Sequence, residues 1–239
     1  MTNIMKDDPF EAVLFDMDGV LIDTHVEVTR FWQRLAARYH VTLTPDDFVQ
    51  HIYGRKAAHT LEQYFPQVTP AVWQQALDEL EAEEASARYT AIPGVVKLLH
   101  ALRQANIPTA LVTSAEPKKP AVVLEQLGLT GVFAAQVTAH DVHQGKPHPD
   151  CYRLGAQRLG KPPQRCLVFE DSLSGAEAAI AAGARCIGIN AIVEPLLHLG
   201  AAHVIPDFAQ VELSLQGETA ALHLPPDYRV QLVPGQVSG

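Results

Sequence analysis

The stretch Phe15-Asp16-Met17-Asp18-Gly19-Val20-Leu21-Ile22-Asp23-Thr24 decides how this chain of 239 residues folds. It continues the apolar run that starts at Ala12, and such a short β-prone run is typical of a buried strand. Asp16 and Asp18 therefore lie where a parallel sheet ends, which is where open α/β sheets bind ligands. In an extended segment they share one face, so their carboxylates repel each other unless a cation is near. A strand-end turn with two solvated acids is the simpler alternative, because Asp and Gly are common turn residues.

Composition limits the class of protein. The chain is 47% hydrophobic, which is enough for a sizeable core. Its net charge of −9 disfavours nonspecific binding to nucleic acid, which needs a basic surface. No stretch approaches the ~20 apolar residues of a membrane span. Cys151, Cys166 and Cys186 lack a C-x-x-C spacing, which favours buried free thiols. We therefore expect a cytoplasmic monomer that binds neither membranes nor nucleic acid.

The rhythm of the sequence predicts two domains. Apolar residues recur at helical spacing between about 25 and 90, where no strand is convincing. From Ile92 onward helices and strands alternate, which predicts a doubly wound parallel sheet. The fold class is therefore α/β, with a core of residues 1–23 and 91–239 and an inserted all-helical cap of residues 24–90. We expect a brief helix ending at Val211 and treat residues 216–239 as a tail or an added edge.

Three further motifs carry polar groups at predicted strand ends. Thr113 and Ser114 follow Ala110-Leu111-Val112, Lys146 lies in Gly145-Lys146-Pro147-His148-Pro149-Asp150, and Glu170 and Asp171 follow Leu167-Val168-Phe169. Each has an ordinary interpretation: a hydroxyl or carboxylate that caps a helix, or a solvated lysine in a loop. The histidines at 140, 143 and 148 form no recognisable metal-ligand pattern, and magnesium prefers oxygen ligands.

Together the four motifs resemble those of the haloacid dehalogenase superfamily, specifically its phosphohydrolases and phosphomutases, over residues 11–206. The resemblance implies a Rossmann-like core in which Asp16 is the nucleophile and Asp18 the general acid and base. It also implies that the hydroxyl of Thr113 and the ammonium of Lys146 bind the transferring phosphoryl group, and that Ser114 binds the substrate.

The same resemblance implies a Mg²⁺ ion at the carboxylates. Asp16 and Asp171 would ligate it directly, Glu170 would lie nearby or act through water, and Asp18 would contribute its backbone carbonyl. The side chain of Asp18 would then remain free for proton transfer.

The cap indicates the class of substrate. The loop His51-Ile52-Tyr53-Gly54-Arg55-Lys56 resembles that of sugar-phosphate and polyol-phosphate phosphatases in the β-phosphoglucomutase-like branch. By this resemblance Tyr53, Gly54 and either Arg55 or Lys56 bind the substrate, although a solvated loop before a helix remains the alternative. Mutases of the branch carry a His and an Arg where this chain has Val28 and Ala57. In the loop of the second motif, Glu116 stands where relatives often carry Lys or Ser. Lys118 is the candidate that would take over the phosphate binding of that residue.

The function expected from the sequence is a Mg²⁺-dependent phosphatase. It would hydrolyse a small phosphorylated sugar or polyol through an aspartyl-phosphate on Asp16. A hexose-phosphate mutase is the first alternative, and the residues Val28 and Ala57 disfavour it. A non-catalytic regulator that binds phosphorylated metabolites is the second, and intact acids at every motif disfavour it.

Overall fold

The computed structural model describes residues 9–189, 193–217 and 219–235. Its strands are β1 (Ala12–Phe15), β2 (Thr109–Val112), β3 (Ala135–Val137), β4 (Cys166–Glu170), β5 (Arg185–Ile189), β6 (His203–Ile205), β7 (Glu212–Gln216), β8 (Thr219–Leu224) and β9 (Tyr228–Leu232). Its helices are α1 (His25–Arg38), α2 (Pro45–Asp47), α3 (Ala57–Tyr64), α4 (Pro70–Ser86), α5 (Val95–Gln104), α6 (Lys118–Gln126), α7 (Asp150–Arg158), α8 (Leu173–Ala182) and α9 (Val193–Leu199). A π-helical turn spans Phe48–Ile52, and 3-10 turns span Ala139–Asp141 and Pro163–Arg165. The ends of the predicted core, residues 1–8 and 236–239, lie outside the described residues.

The main sheet confirms the predicted α/β class. Its six parallel strands run in the order β3-β2-β1-β4-β5-β6. Side chains alternate along β1, so Leu14 joins one apolar cluster with α7 and α8 while Phe15 joins the other with α5 and α6. Because both faces are covered, every residue of β1 is buried. After β1 the chain places β2 and β3 on one side of it, and it then returns to place β4 on the other side. This reversal of strand order opens a crevice at the carboxyl end of β1.

The helical cap has an apolar cluster of its own. Residues 24–90, all of which the structure describes, contain helices, turns and loops but no strand. Phe31, Trp32 and Leu35 form the buried stripe of α1, and they pack against Leu61 and Phe65. The predicted helical spacing is therefore confirmed, whereas the domain boundaries remain a prediction. Across the described ranges, no helix combines the length and the apolar character that a membrane crossing requires.

The two connections between core and cap run side by side. Asp23 N donates to Thr90 O at 3.1 Å, and Ile92 N donates to Leu21 O at 2.9 Å. The turn that contains Asp18 begins this crossing, because Gly19 N donates to Ile22 O at 2.7 Å. The backbone that carries the predicted acid and base is therefore continuous with the connection to the cap.

The C-terminal region differs from the expected tail or added edge. Strands β7, β8 and β9 form a separate antiparallel sheet, in that order. Leu222, Leu224 and Leu232 are buried in the same cluster as Phe15, and Val233 N bonds to Phe10 O at 2.8 Å. Alternating apolar residues in β8 and β9 are the sequence pattern that indicates this sheet. Interspersed polar residues and Pro225-Pro226 make that pattern hard to recognise.

A second difference concerns the segment before this sheet. Residues 206–211, where the sequence predicted a brief helix, form turns. Phe208 is buried in the core, and its N–H donates to Pro93 O at 2.9 Å, so tertiary contacts fix this backbone. Helix α9, which begins after β5 and the undescribed residues 190–192, was not predicted.

Candidate active site

Three carboxylates meet at the carboxyl ends of the two central strands. Asp16 follows β1, Glu170 ends β4 and Asp171 comes directly after it. Asp16 N donates to Phe169 O at 3.0 Å, so strand pairing itself places Asp16 beside Glu170. One oxygen of each carboxylate lies within 4.8 Å of the others, and all three residues are buried. Burial raises the pKa of Asp16 well above its ordinary value and raises that of Asp171 to about 6.

Lys146 supplies positive charge to this cluster. Its buried ammonium donates to Asp16 Oδ1, to Glu170 Oε1 at 2.5 Å and to Val112 O at 3.3 Å. Burial alone would lower the pKa of Lys146, but the two carboxylates keep that pKa above its ordinary value. Lys146 thereby lies against Asp16 and Glu170. The loop that carries Lys146 is one that the strand pattern alone does not position.

Glu170 is held by donors on both oxygens. Oε1 accepts from Lys146 and, at 2.7 Å, from the hydroxyl of Tyr152, while Oε2 accepts from the backbone N–H groups of Asp171 and Ser172. A Cβ at Gly175 would lie 1.7 Å from Glu170 Oε1, so the carboxylate fits only against a glycine. These contacts make Glu170 a residue that orients Lys146, and its predicted role near the metal stays a prediction.

Asp18 lies in different surroundings from Asp16. Its Oδ1 accepts from Thr24 Oγ1 at 2.7 Å and from Lys119 Nζ at 2.6 Å. Burial opposes the charge on Asp18, yet the Lys119 ammonium and these hydrogen bonds together hold the pKa of Asp18 below its ordinary value. Gly19 has φ of +77°, and a Cβ there would lie 2.0 Å from Asp171 Oδ2. Glycine thus permits both the turn after Asp18 and the close approach of Asp171.

Sequence reasoning missed Lys119 and named its neighbour instead. Lys118 has a side chain that is 75% exposed and pairs with Glu81 of α4, whereas the side chain of Lys119 is 5% exposed. Lys119 also contacts Glu84 of α4, with 2.9 Å between Nζ and Oε1. The sequence does not indicate which of two adjacent lysines in the first turn of α6 faces inward.

The second motif faces the cap. Thr113 is buried, and its Oγ1 accepts from Ala115 N at 3.1 Å. Ser114, predicted to bind substrate, donates from Oγ to Gly54 O at 2.7 Å. Both residues line the cavity described below, so the structure brings them beside Asp16.

The predicted substrate loop of the cap divides into two parts. Tyr53 and Arg55 line the cavity, and Arg55 bonds within the cap to His59 and to Gln50 O. Lys56 instead reaches the core, where its ammonium donates to Ala139 O at 2.6 Å and to Val142 O at 2.7 Å. The geometry therefore favours Arg55 over Lys56 as the basic residue that contacts substrate.

Further backbone contacts dock this loop on the core. Ser174 Oγ donates to Tyr53 O at 2.9 Å. A Cβ at Gly54 would lie 2.1 Å from Ser172 Oγ, so only glycine allows this approach. The loop therefore closes over the carboxylates through contacts with three core segments, which follow β2, β3 and β4.

His25 is another residue that the sequence did not single out. It begins α1, and its Nε2 lies 2.8 Å from Asp171 Oδ2. This hydrogen bond raises the pKa of His25. The imidazole also lies against Tyr53, with 4.7 Å between ring centroids. His25 thus connects the cap loop to a predicted metal ligand.

A cavity of about 530 Å³ lies between core and cap. Asp16, Asp18 and Asp171 line its core side. Trp32 and Leu77 belong to its cap side. Cavities of this size accommodate small metabolites.

The carboxylates suit a hard divalent cation. Mg²⁺ prefers oxygen ligands, and Asp16, Glu170 and Asp171 offer carboxylate oxygens close enough to share one ion. Burial disfavours the charged forms of Asp16 and Asp171, and a bound cation would stabilise those charged forms.

Comparisons with known proteins agree with this geometry. A family model described as haloacid dehalogenase-like hydrolase matches residues 10–183. Hexitol phosphatase A of Escherichia coli (strain K12) is 38% identical over 186 residues, which make up 76% of this chain and 83% of that protein. The Phosphorylated carbohydrates phosphatase of Thermotoga maritima is 34% identical over 183 residues, 72% of this chain and 82% of its own length. A HAD family hydrolase from Deinococcus radiodurans R1, solved with bound phosphate and sodium, superposes with a TM-score of 0.63 at 33% identity, covering 85% of this chain and 94% of that one.

Proposed function

The chain belongs to the haloacid dehalogenase-like hydrolases, and from this premise we propose that it is a Mg²⁺-dependent phosphatase of small phosphorylated sugars or polyols. One observation carries the proposal: two aspartates, two residues apart, have separate basic partners. Asp16 is paired with Lys146 among the buried acids, whereas Asp18 is paired with Thr24 and Lys119. Such a division assigns attack on phosphorus to one carboxylate and proton transfer to the other.

The proposed reaction has two steps. In the first, a carboxylate oxygen of Asp16 attacks phosphorus, the bond from phosphorus to the substrate oxygen breaks, and Asp18 gives its proton to the departing alcohol. In the second, Asp18 takes a proton from water as the water oxygen attacks the aspartyl-phosphate, which releases phosphate and restores Asp16. The lowered pKa of Asp18 favours the carboxylate form that the second step needs, whereas the first step needs the protonated form.

The surrounding residues have supporting roles in the proposal. Lys146 offsets the negative charge that accumulates as an anionic ester approaches a carboxylate. Thr113 and Ser114 offer hydroxyl groups on the wall of the cavity. Bound Mg²⁺, held by Asp16, Asp171 and the backbone carbonyl of Asp18 with Glu170 nearby, would neutralise further charge on the phosphoryl group.

The proposed substrate class rests on the cap and on the relatives. The printed names of two relatives refer to hexitols and to phosphorylated carbohydrates. The cavity has an indole and a guanidinium, from Trp32 and Arg55, with which a polyhydroxylated substrate can interact. The cytoplasm is the proposed compartment, supported by three buried cysteines that are free thiols.

The test is phosphate release from a panel of sugar and polyol phosphates in the presence of Mg²⁺. Asp16→Asn should reduce turnover by about 10³-fold or more, as expected when a covalent nucleophile is lost. Asp23→Asn is the matched control, because Asp23 is an exposed carboxylate in the same stretch. Full activity of Asp16→Asn would refute the nucleophile assignment.

The same panel distinguishes the alternatives. A mutase would interconvert sugar 1- and 6-phosphates with little free phosphate, which product analysis by phosphorus NMR detects. A non-catalytic binding protein would release no phosphate from any member of the panel.

A further inference from the structure

Lys119 links the cap to Asp18, the residue predicted to act as both general acid and general base. Its ammonium lies 2.6 Å from Asp18 Oδ1 and 2.9 Å from Oε1 of Glu84, which belongs to cap helix α4. Asp18 and Lys119 belong to the core, so a single buried charge holds one carboxylate from each domain. The ring of Tyr89, near the second connection to the cap, lies 6.0 Å from the same ammonium.

The neighbouring pair shows that this contact is specific. Lys118 and Glu81 also connect α6 to α4, at 2.7 Å, but their side chains are 75% and 34% exposed. A pair of this kind contributes little, because water screens both charges. Lys119 is buried and needs its carboxylates, because a buried ammonium without partners is strongly destabilising.

The hydrogen bonds at Asp18 fix the carboxylate in one orientation. Thr24 and Lys119 both donate to Oδ1, which leaves Oδ2 as the oxygen for proton transfer. Thr24 precedes α1 at the connection to the cap, and Lys119 reaches Glu84 within the cap. Movement of the cap would therefore remove one partner of Lys119 and disturb the orientation of Asp18.

We propose that Lys119 is a positioning residue that orients Asp18 for proton transfer when Glu84 of the closed cap contacts it. The proposal rests on the phosphatase function proposed above. It makes cap closure part of the chemistry: the closed cap both covers the cavity and completes the support of the acid and base. Binding of the substrate phosphate by Lys119 is the competing role, since Lys119 also lines the cavity.

The experiment compares Lys119→Met with Lys97→Met, using the best sugar phosphate of the panel. Lys97 is an exposed lysine of α5 that does not line the cavity. We expect Lys119→Met to lower kcat by about 10²-fold with KM changed less than about threefold, because small misplacement of a catalytic group costs this much. Lys97→Met should match the wild type. Lys119→Arg should recover part of kcat, because it restores a cation at the same place.

The leaving group provides a readout that general structural damage would not give. Departure of p-nitrophenolate needs no proton, whereas a sugar alcohol does. In single-turnover rapid-quench experiments, Lys119→Met should release p-nitrophenolate from p-nitrophenyl phosphate within about twofold of the wild-type rate, while alcohol release from the sugar phosphate slows about 10²-fold. Equal slowing of both would overturn the proposal, and so would a raised KM with unchanged kcat.

Glu84→Gln tests the link to the cap, with Glu81→Gln as its control. We expect Glu84→Gln to lower kcat about tenfold, Glu81→Gln to have no effect, and Glu84→Gln to add nothing in a Lys119→Met background. Normal activity of Glu84→Gln would overturn the coupling to closure. If Lys119→Met fails to fold, kcat of Lys119→Arg and of Glu84→Gln provides the test. A kcat equal to that of the wild type in both variants would then overturn the proposal. A wild type that hydrolyses no phosphate ester would refute the proposed function itself, whereas an active wild type with these variants unaffected would refute only this inference.

Discussion

Two buried lysines divide the site into halves that are built differently. Lys146 lies between Asp16 and Glu170, both fixed by the ends of central strands in the core. Lys119 lies between Asp18 of the core and Glu84 of the cap. The Lys146 half is therefore organised whatever the position of the cap, whereas the Lys119 half is complete only when core and cap are in contact. The comparison indicates that attack on phosphorus is preorganised, while proton transfer depends on closure.

The largest expected effect comes from breaking the core half. Lys146→Met should lower turnover by about 10³-fold, as loss of a group that stabilises transition-state charge does. It should also reduce the free energy of unfolding by about 3–5 kcal/mol, because buried carboxylates lose their cation. Phosphate release and urea unfolding measure the two effects. Lys161→Met, which breaks the partly exposed pair with Glu11, is the control and should cost about 1 kcal/mol or less. Equal destabilisation by both variants would contradict the special role of the Lys146 half.

Metal binding should also distinguish the two halves. Mg²⁺ at about 100 times its dissociation constant should raise the free energy of unfolding by about 2.7 kcal/mol, because it binds only the folded carboxylates. Asp171→Asn should abolish this increase, whereas Lys119→Met should retain it. Urea unfolding with Mg²⁺ and with EDTA measures the difference. An unchanged increase in Asp171→Asn would place the metal elsewhere.

The docking of the cap loop should show a smaller effect. Lys56→Ala removes the hydrogen bonds to Ala139 O and Val142 O, and a loss of about 1.4 kcal/mol would reduce the closed population about tenfold. Hydrogen exchange around residues 53–56 should rise accordingly. Arg55→Ala is the matched control, because Arg55 bonds within the cap, and it should leave exchange unchanged while weakening substrate binding. Increased exchange in both variants would contradict this division of the loop.

Much of the core half could be predicted from the sequence, and the reason is local. Asp16 and Asp171 lie at predicted strand ends, and parallel strands bring their carboxyl ends to one edge of a sheet. Lys146 was predicted from its motif instead, because the strand pattern does not position the loop that carries it. The main sheet and the cap helices follow from apolar periodicity, which adjacent residues carry. The predicted family and phosphatase class are confirmed by the family model and the relatives.

The cap half could not be predicted, because its contacts depend on how two domains meet. Glu84 is one acid among several in α4, and nothing in its spacing indicates a partner 35 residues later in the chain. The same limit applies to His25 and to Lys56, whose partners lie across the boundary. The predicted roles of Ser114 and Lys56 in substrate binding remain predictions, and their hydrogen bonds in the structure join core to cap.

The smallest expected effect comes from a neutral partner in the core half. Tyr152→Phe removes one hydrogen bond to Glu170 Oε1, which keeps its contact with Lys146. The free energy of unfolding should fall by about 1 kcal/mol, since the substitution preserves the ring and removes only the hydroxyl. Turnover should stay within about threefold of the wild type, because Lys146 still fixes the orientation of Glu170 and is itself held by Asp16. Urea unfolding and phosphate release measure both quantities, and Tyr228→Phe, in the C-terminal sheet away from the carboxylates, controls for loss of a tyrosine hydroxyl. A loss of turnover as large as that of Lys119→Met would mean that the core half is no more rigid than the half completed by the cap.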